Sequence, residues 1–148
     1  MIEDKLKVVL KNLKKRHWYI GIMESCTGGA VANLITNIPG VSDVFKSGLV
    51  TYSDEAKIKA GVDQKIIKTY GVYSIEVAEE MARKIEGEVG IGVTGNLPGK
   101  VYVAVRVEDK IKSSYLEVKS FLEDEIEARK EMKGMVVDRV LEMLANSF

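Results

Sequence analysis

Three side chains in the sequence have the types and spacing to perform acyl transfer together. Ser25 follows an apolar segment at residues 18–23, and Tyr52 and Lys57 follow a second apolar segment. A serine hydroxyl is a weak nucleophile unless a neighbouring base removes its proton. A neutral lysine can be that base, as in the Ser-Lys variants of the catalytic triad, and no histidine is suitably placed. The residues therefore predict hydrolysis of an amide, in which serine attacks, ammonia leaves and water completes the reaction.

The position of Lys57 allows two interpretations. Ser53, Asp54 and Glu55 predict a helix start, because a capping hydroxyl is followed by acids in the first turn. Lys57 then lies in that turn, where the helix dipole repels an ammonium. On its own, this pattern favours a solvent-pointing lysine offset by the two acids. The functional interpretation is a lysine whose pKa is lowered so that it acts as a base, while the Tyr52 phenol relays a proton or holds the lysine in place.

A strand, a turn and a helix must position Ser25. Residues 18–23 predict a buried strand, a polar turn follows, and apolar residues then recur at helical spacing. Such a turn lies at the carboxyl end of a sheet, and the amino end of its helix suits an anion. Gly28 and Gly29 allow a ligand close to the backbone, while Ser25 and Thr27 offer hydroxyls at the mouth. The alternative is that Ser25 or Thr27 only caps the helix and the glycines only make the turn.

The remaining pattern predicts a three-layer α/β/α sandwich with a mixed, mostly parallel sheet of about five strands. The predicted helices cover residues 2–16, 28–37, 53–60, 63–70, 74–85 and 121–146, and the predicted strands cover residues 18–23, 45–52, 89–93, 101–107 and 111–118. If the first two strands run parallel, both turns lie at the same end of the sheet, and the serine, tyrosine and lysine converge. Gly48 inside the second strand predicts a bulge or a close backbone approach.

Composition narrows the function classes. The 148 residues suit one domain, residues 1–148, and the 22 Lys and Arg equal the 22 Asp and Glu. This neutral balance argues against a nucleic-acid surface, which needs a basic excess. One cysteine excludes an internal disulfide, and no apolar run is long enough to span a membrane. The charged first residues are unlike a signal peptide, so the cytoplasm is the expected compartment. His17 and Cys26 do not make a metal site, and no cofactor is expected.

A family resemblance extends over nearly the whole chain. Residues 24–29 (ESCTGG) resemble the opening signature of the CinA carboxy-terminal domain family. Further matching motifs follow in order at residues 38–42 (IPGVS), 45–53 (FKSGLVTYS), 55–57 (EAK), 61–62 (GV) and 92–95 (GVTG), and the final helix also fits. The best-known activity of that family is hydrolysis of the carboxamide of nicotinamide mononucleotide (NMN), which gives nicotinic acid mononucleotide and ammonia.

The resemblance also implies which residues act on this mononucleotide substrate. By match to the family motifs, the catalytic residues are Ser25, Tyr52 and Lys57. The implied phosphate and ribose contacts are Thr27, Gly28, Gly29, Thr94, Gly95, Arg129 and Lys133. The family usually has two arginines one turn apart in the last helix, and here a lysine takes the second position. A lysine can hold a phosphate, but it cannot make the bidentate contact of an arginine.

Besides this lysine, a second departure from the family pattern leaves the activity open. Residues 96–100 (NLPGK) replace a long glycine- and proline-rich loop, so the nucleotide is poorly enclosed or a different substrate is admitted. The amino-terminal domain of the larger relatives is absent, so we expect a standalone form. The alternative function is a non-catalytic nucleotide-binding or assembly module with the same fold. Met135, Val137 and Met143 of the last helix would pack either against a second subunit or under the sheet.

Overall fold

The computed structural model describes residues 2–148, which form one five-stranded sheet with helices on both faces. The strands are β1 (Ile20–Glu24), β2 (Phe45–Val50), β3 (Val89–Gly95), β4 (Gly99–Val107) and β5 (Lys110–Val118). The helices are α1 (Ile2–Arg16), α2 (Ala30–Ile35), α3 (Asp54–Lys59), α4 (Gln64–Tyr70), α5 (Ile75–Lys84) and α6 (Glu125–Ala145), with a short 3-10 helix at Val41–Asp43.

The order of the strands across the sheet is β2-β1-β3-β4-β5. Strand β1 pairs in parallel with both β2 and β3, while β3, β4 and β5 form an antiparallel meander. Strands β1, β2, β3 and β5 therefore point one way, and β4 points the other. This arrangement confirms the predicted three-layer sandwich with a mixed, mostly parallel sheet.

Alternate side chains of the central strands face the two layers of helices. Ile20 and Ile22 of β1 belong to the larger core, which also includes buried residues of α1 and α6, whereas Met23 belongs to a second core beside α5. Successive side chains of a strand point to opposite faces, so a strand covered on both faces must be apolar throughout. The unbroken apolar pattern of the first predicted strand follows from this two-sided burial.

Local capping explains where several elements begin. Ser53 and Ser74 each accept a hydrogen bond from an amide in the first turn of α3 and α5, as the sequence predicts. Helix α6 begins at Glu125, later than predicted, because the Asp124 side chain accepts from two amides and fixes its start there. Strand β2 ends at Val50, two residues earlier than predicted.

Glycines are required at two places beside β1. Gly28 and Gly29 have φ angles of 61° and 103°, in the left-handed region that favours glycine. Helix α2 therefore starts at Ala30 and not at the predicted residue 28. The predicted close approach at Gly48 is confirmed, because a Cβ there would lie 3.2 Å from the carbonyl oxygen of Ile22. The pairing register between β1 and β2 also shifts just before this glycine, as a bulge requires.

A buried carboxylate from the end of β1 holds the amino end of α2. Glu24 is 1% exposed, and its two carboxylate oxygens accept the N–H groups of Val31 at 3.1 Å and Ala32 at 3.0 Å. The Thr27 hydroxyl donates to the same carboxylate. The partial positive charge of the helix end stabilises the carboxylate in turn. The alternative that Ser25 or Thr27 caps this helix is wrong, because Glu24 takes that place.

Helix α6 lies across one face of the sheet and buries most of its apolar side chains. Val137 is buried and Met143 packs against the larger core, whereas Met135 is exposed. Of these three residues, only Met135 therefore presents a free side chain to another molecule. Although α6 has 21 residues, it carries many charges, and no helix within residues 2–148 is long and apolar enough to cross a membrane.

We predict that Glu24→Gln destabilises the fold. The amide oxygen of glutamine can still accept hydrogen bonds, but its NH2 group would face a backbone N–H at the start of α2 and leave it unpaired. The variant loses a hydrogen bond to a charged group and leaves a buried donor unpaired. We therefore expect the free energy of unfolding to fall by about 2 kcal/mol. For a chain of this size the melting temperature falls by about 4–8 °C. Urea unfolding followed by circular dichroism measures the change.

The matched control for this prediction is Glu117→Gln. Glu117 lies exposed on β5, and no hydrogen bond or ion pair of its side chain is recorded within residues 2–148. We expect its free energy of unfolding to stay within about 0.5 kcal/mol of the parent value. Equal effects of the two substitutions would contradict the proposed role of the Glu24 carboxylate.

Candidate active site

The hydroxyl of Ser25 and the amine of Lys57 meet at the carboxyl end of the sheet. Both residues are buried, with 4% and 1% of their surfaces exposed. The Lys57 Nζ atom lies 3.0 Å from the Ser25 Oγ atom, and it donates to the carbonyl oxygens of Thr51 at 2.8 Å and Tyr52 at 3.4 Å. The interpretation of Lys57 as a solvent-pointing residue is therefore wrong.

Parallel pairing of β1 with its neighbours brings these two residues together. The Ser25 amide donates to the carbonyl of Val93 on β3, and the Thr51 amide donates to the carbonyl of Glu24 on β1. The ends of the three strands are thus tied to one another. Lys57 lies in α3, which starts directly after β2, and helical side chains tilt toward the amino end of their helix. This tilt directs the amine of Lys57 back over the strand ends toward Ser25.

The environment of Lys57 suits both of its protonation states. A neutral amine has two N–H donors and one lone pair, which match the two carbonyl oxygens and the hydroxyl of Ser25. An ammonium has three donors, and the same three oxygens accept them. A proton can therefore pass from the Ser25 hydroxyl to Lys57 without movement of the surrounding heavy atoms.

Burial lowers the pKa of Lys57 from its ordinary value near 10.5. The cause is desolvation, because an ammonium loses more hydration than a neutral amine when it is removed from water. The nearby carboxylate of Asp54 acts in the opposite direction and raises the pKa. Desolvation is the larger effect, so the geometry favours a lysine that can exist as a free base.

Tyr52 contacts the other two predicted catalytic residues through its backbone. Its carbonyl oxygen lies 3.4 Å from both the Ser25 Oγ atom and the Lys57 Nζ atom, and both groups donate to it. The residue is 62% exposed, and its phenol oxygen accepts from Arg129 Nη2 at 3.5 Å. In this structure the residue holds Lys57 through main-chain contacts, not through the phenol.

A small cavity of about 150 Å³ opens beside Ser25. Its walls include Cys26, Tyr52, Tyr73, Arg129 and the loop at residues 95–97. Arg129 also donates to the Leu97 carbonyl oxygen at 2.7 Å, so it ties this short loop to α6. The sequence predicted Ser25, Tyr52, Gly95 and Arg129 as site residues and the loop at residues 96–100 as a wall of the site, but it did not single out Cys26 or Tyr73. A signal was present in the sequence for Cys26 alone, which is the neighbour of the proposed nucleophile.

The other predicted substrate contacts lie away from this cavity. The hydroxyl of Thr27 donates to Glu24, and the hydroxyl of Thr94 donates to the Val72 carbonyl oxygen at 3.0 Å. Both threonines are buried, so these hydrogen bonds of their hydroxyls stabilise the fold. The Nζ atom of Lys133 lies 3.5 Å from the position that a Cβ on Gly28 would occupy. The Lys133 ammonium therefore lies beside the turn at Gly28, and Lys133 does not line the cavity.

Backbone N–H groups of the turn are the remaining donors near Ser25. The amides of Val31 and Ala32 already bind Glu24, so they are not free for a substrate anion. The amides of Cys26 and Gly29 donate to no other residue within the described chain, residues 2–148. An N–H directly after a nucleophile is well placed to stabilise a developing oxyanion.

Cys26 is the other nucleophile type in the cavity, but its burial disfavours the thiolate. Burial raises its pKa from 9.0 to about 11, because the thiolate loses solvation. The thiolate is the nucleophilic form of cysteine, and at neutral pH it is scarcely populated. Among residues 2–148 no group of three or more His, Cys, Asp or Glu side chains could hold a metal ion. Ser25 with Lys57 is therefore the reactive pair that this geometry supports.

Comparison with protein families and curated sequences supports one assignment. The model of the CinA C-terminal domain matches residues 3–148. A competence-damage inducible protein of Caldicellulosiruptor saccharolyticus is 36% identical over 122 residues, which are 72% of this chain and 30% of that protein. A protein of the same description from Moorella thermoacetica is 48% identical over 88 residues, 56% of this chain and 21% of the relative. The chain spans less than a third of these curated relatives.

Solved structures share the fold over almost the full length of the chain. A competence-damaged protein (CinA) superfamily protein from Enterobacter cloacae aligns with a TM-score of 0.88 at 21% identity, covering 99% of this chain and 92% of that one. The competence/damage inducible protein CihA from Agrobacterium tumefaciens aligns with a TM-score of 0.83 at 26% identity, covering 97% and 93%. These matches show the shared fold, and the family model over residues 3–148 shows that the chain belongs to the CinA C-terminal domain family.

Proposed function

We propose that this protein is an amidohydrolase that converts NMN to nicotinic acid mononucleotide and ammonia. The observation that carries the proposal is the 3.0 Å contact between the Ser25 Oγ atom and the Nζ atom of a lysine whose pKa is lowered by burial. Two further features support it. Ser25 borders a cavity large enough for a carboxamide, and both Ser25 and Lys57 lie in motifs that resemble those of the family.

In the proposed reaction Lys57 acts first as a base and then as an acid. Lys57 takes the proton of Ser25 as Oγ bonds to the carboxamide carbon, and the amide of Cys26 donates to the oxyanion that forms. Lys57 returns the proton to the leaving nitrogen, which departs as ammonia and leaves an ester on Ser25. Lys57 then accepts a proton from water, whose oxygen attacks the ester and releases the carboxylic acid, which loses its remaining proton to solvent and becomes the carboxylate product. The final proton returns to Ser25.

The nucleotide tail would bind outside the cavity. Arg129 borders the cavity and Lys133 lies one helical turn further along α6, near Gly28. Both are cations suited to a phosphate, although Lys133 can offer only a single-point contact. A lysine in this place predicts weaker recognition of the phosphate than a second arginine would provide.

A second candidate function is a nucleotide-binding module that does not catalyse. The observation that favours it is the small size of the cavity beside the short loop at residues 96–100.

A product assay with purified protein and NMN separates the two functions. We expect nicotinic acid mononucleotide and ammonia in equal amounts, and loss of both with Ser25→Ala. Calorimetric binding of NMN without either product would support the binding module instead.

We predict that Lys57→Met lowers kcat by at least about 100-fold, which is the lower range of a general base contribution. Methionine matches the length of the lysine stem without the amine, and it suits a buried site. Lys57→Arg serves as the charged comparison, because a guanidinium does not act as a base near neutral pH. Turnover by either variant at the parent rate, with folding confirmed by circular dichroism, would exclude Lys57 as the base.

We predict that kcat/KM rises with pH through the pKa of Lys57 in the folded protein. The reaction needs the neutral amine, whose fraction increases as the pH rises. Asp54→Asn removes the carboxylate that raises this pKa, so the ascending limb of the pH profile moves to lower pH. Glu55→Gln is the matched control, because Glu55 is the adjacent exposed acid and has no recorded effect on Lys57. A shift of the limb to higher pH in Asp54→Asn would contradict the proposal.

We predict that Tyr52→Phe lowers kcat by less than about tenfold. The substitution keeps the carbonyl oxygen that binds Ser25 and Lys57 and removes only the contact of the phenol with Arg129. Loss of a proton relay would instead cost about 100-fold or more. Steady-state kinetics with NMN distinguish these outcomes, and the larger loss would assign the phenol a direct role in proton transfer.

A further inference from the structure

We propose that Tyr73 forms, with Tyr52, a slot that holds the aromatic ring bearing the scissile carboxamide. In this proposal Tyr73 decides which amides the site accepts, by contact with the ring and not with the nucleotide tail. The inference rests on the proposed function for the nature of the amide, and it adds a specificity-determining residue outside the sequence motifs. The nearest motifs end at residue 62 and resume at residue 92, so Tyr73 lies between them.

The size of the cavity is the first observation behind the slot. Its volume of about 150 Å³ is the size of an engineered protein cavity that binds one benzene molecule. Pockets that enclose a larger ligand measure about 300–1,000 Å³. The cavity beside Ser25 is therefore about the size of one six-membered ring, so the ribose and phosphate of a mononucleotide would extend beyond it.

The second observation is that two tyrosine rings at this cavity have neither a paired ring nor a cation over the ring. Tyr52 and Tyr73 both line it, and Tyr73 is 47% exposed. Tyr19, Tyr102 and Tyr115 each have a paired ring or a cation over the ring, and within residues 2–148 neither Tyr52 nor Tyr73 has one. The contact of Tyr52 with Arg129 is made by the phenol oxygen and not by the ring. A planar ring, and a cationic pyridinium in particular, would supply the missing contact by stacking or by a cation–π interaction.

The backbone on both sides of Tyr73 is fixed, which is the third observation. The Val72 carbonyl oxygen accepts the hydroxyl of Thr94 at the end of β3. The Ser74 hydroxyl caps α5 by accepting the Val77 amide, and it donates to the Gly71 carbonyl oxygen. An anchored backbone lowers the entropic cost of ordering the half-exposed Tyr73 ring against a ligand. The backbone of Tyr73 is thus pre-organised beside the cavity that Ser25 lines.

The slot separates recognition of the ring from recognition of the tail. Arg129 and Lys133 are the cations available to a phosphate, and both belong to α6, whereas Tyr73 precedes α5. A change at Tyr73 should therefore weaken binding of every ligand that carries the ring and leave the tail contacts intact. This separation makes the proposal testable with fragments of the substrate.

The test measures binding of three probes to the full chain carrying Ser25→Ala, so that no turnover occurs. The probes are NMN, nicotinamide as the ring alone, and ribose 5-phosphate as the tail alone. Tyr73→Ala should raise the Kd of NMN and nicotinamide by about fivefold to hundredfold, the range that stacking contacts contribute. Tyr73→Phe should retain the affinity, since it keeps the ring. Tyr70→Ala is the matched control, because Tyr70 is exposed, lies on α4 and does not line the cavity.

Several outcomes overturn the slot. It is rejected if the Ser25→Ala chain binds neither NMN nor nicotinamide, if Tyr73→Ala leaves both affinities unchanged, or if Tyr73→Ala weakens ribose 5-phosphate as much as NMN. Failure of the proposed function gives a different result. If the parent chain releases no ammonia from NMN while Tyr73→Ala still weakens binding of nicotinamide, the slot stands and the hydrolysis does not. In an active parent chain, Tyr73→Ala should raise KM for NMN several-fold while Tyr70→Ala does not.

Discussion

The amine of Lys57 is the group on whose placement the rest of the candidate site depends. Removing an ammonium from water is costly unless it is fully hydrogen-bonded, and a neutral amine avoids most of that cost. The structure provides two carbonyl oxygens and one hydroxyl around the amine, which satisfy either form. To place these oxygens around the amine, β2 must end beside β1, and α3 must begin shortly after β2 ends. The chemistry of the site therefore follows from how a buried lysine is kept hydrogen-bonded.

Glu24, the residue before Ser25, carries a second buried charge, and its carboxylate stabilises the fold and does not face the cavity. Successive residues of an extended chain point to opposite sides, so the Glu24 carboxylate turns from the cavity toward the start of α2. There it binds the amides and the Thr27 hydroxyl that would otherwise be open to a substrate anion. If the protein binds a nucleotide as proposed, these groups are not available to its phosphate, and Arg129, Lys133 and the amides of Cys26 and Gly29 are.

Much of the fold could be predicted from local patterns, because such patterns report local geometry. Helical and strand periodicity located each element, and the hydroxyls of Ser53 and Ser74 marked two helix starts that the structure confirms. Boundaries were less accurate where a longer-range contact sets the end, as at Asp124 before α6. The convergence of Ser25 with Lys57 was also predictable, because the carboxyl ends of parallel neighbours lie at one edge of the sheet.

By itself, the sequence determined the order of the helices and strands, the layered architecture and the set of candidate reactive residues. The tertiary structure alone decided what each polar group faces. Lys57 is buried, although its local sequence pattern favoured exposure to solvent. The hydroxyls of Thr27 and Thr94 donate to other groups of the protein, and Tyr73 lines the cavity. The physical reason is that periodicity depends on neighbours in the chain, whereas burial and hydrogen bonding depend on residues that are distant in sequence and meet only when the sheet forms.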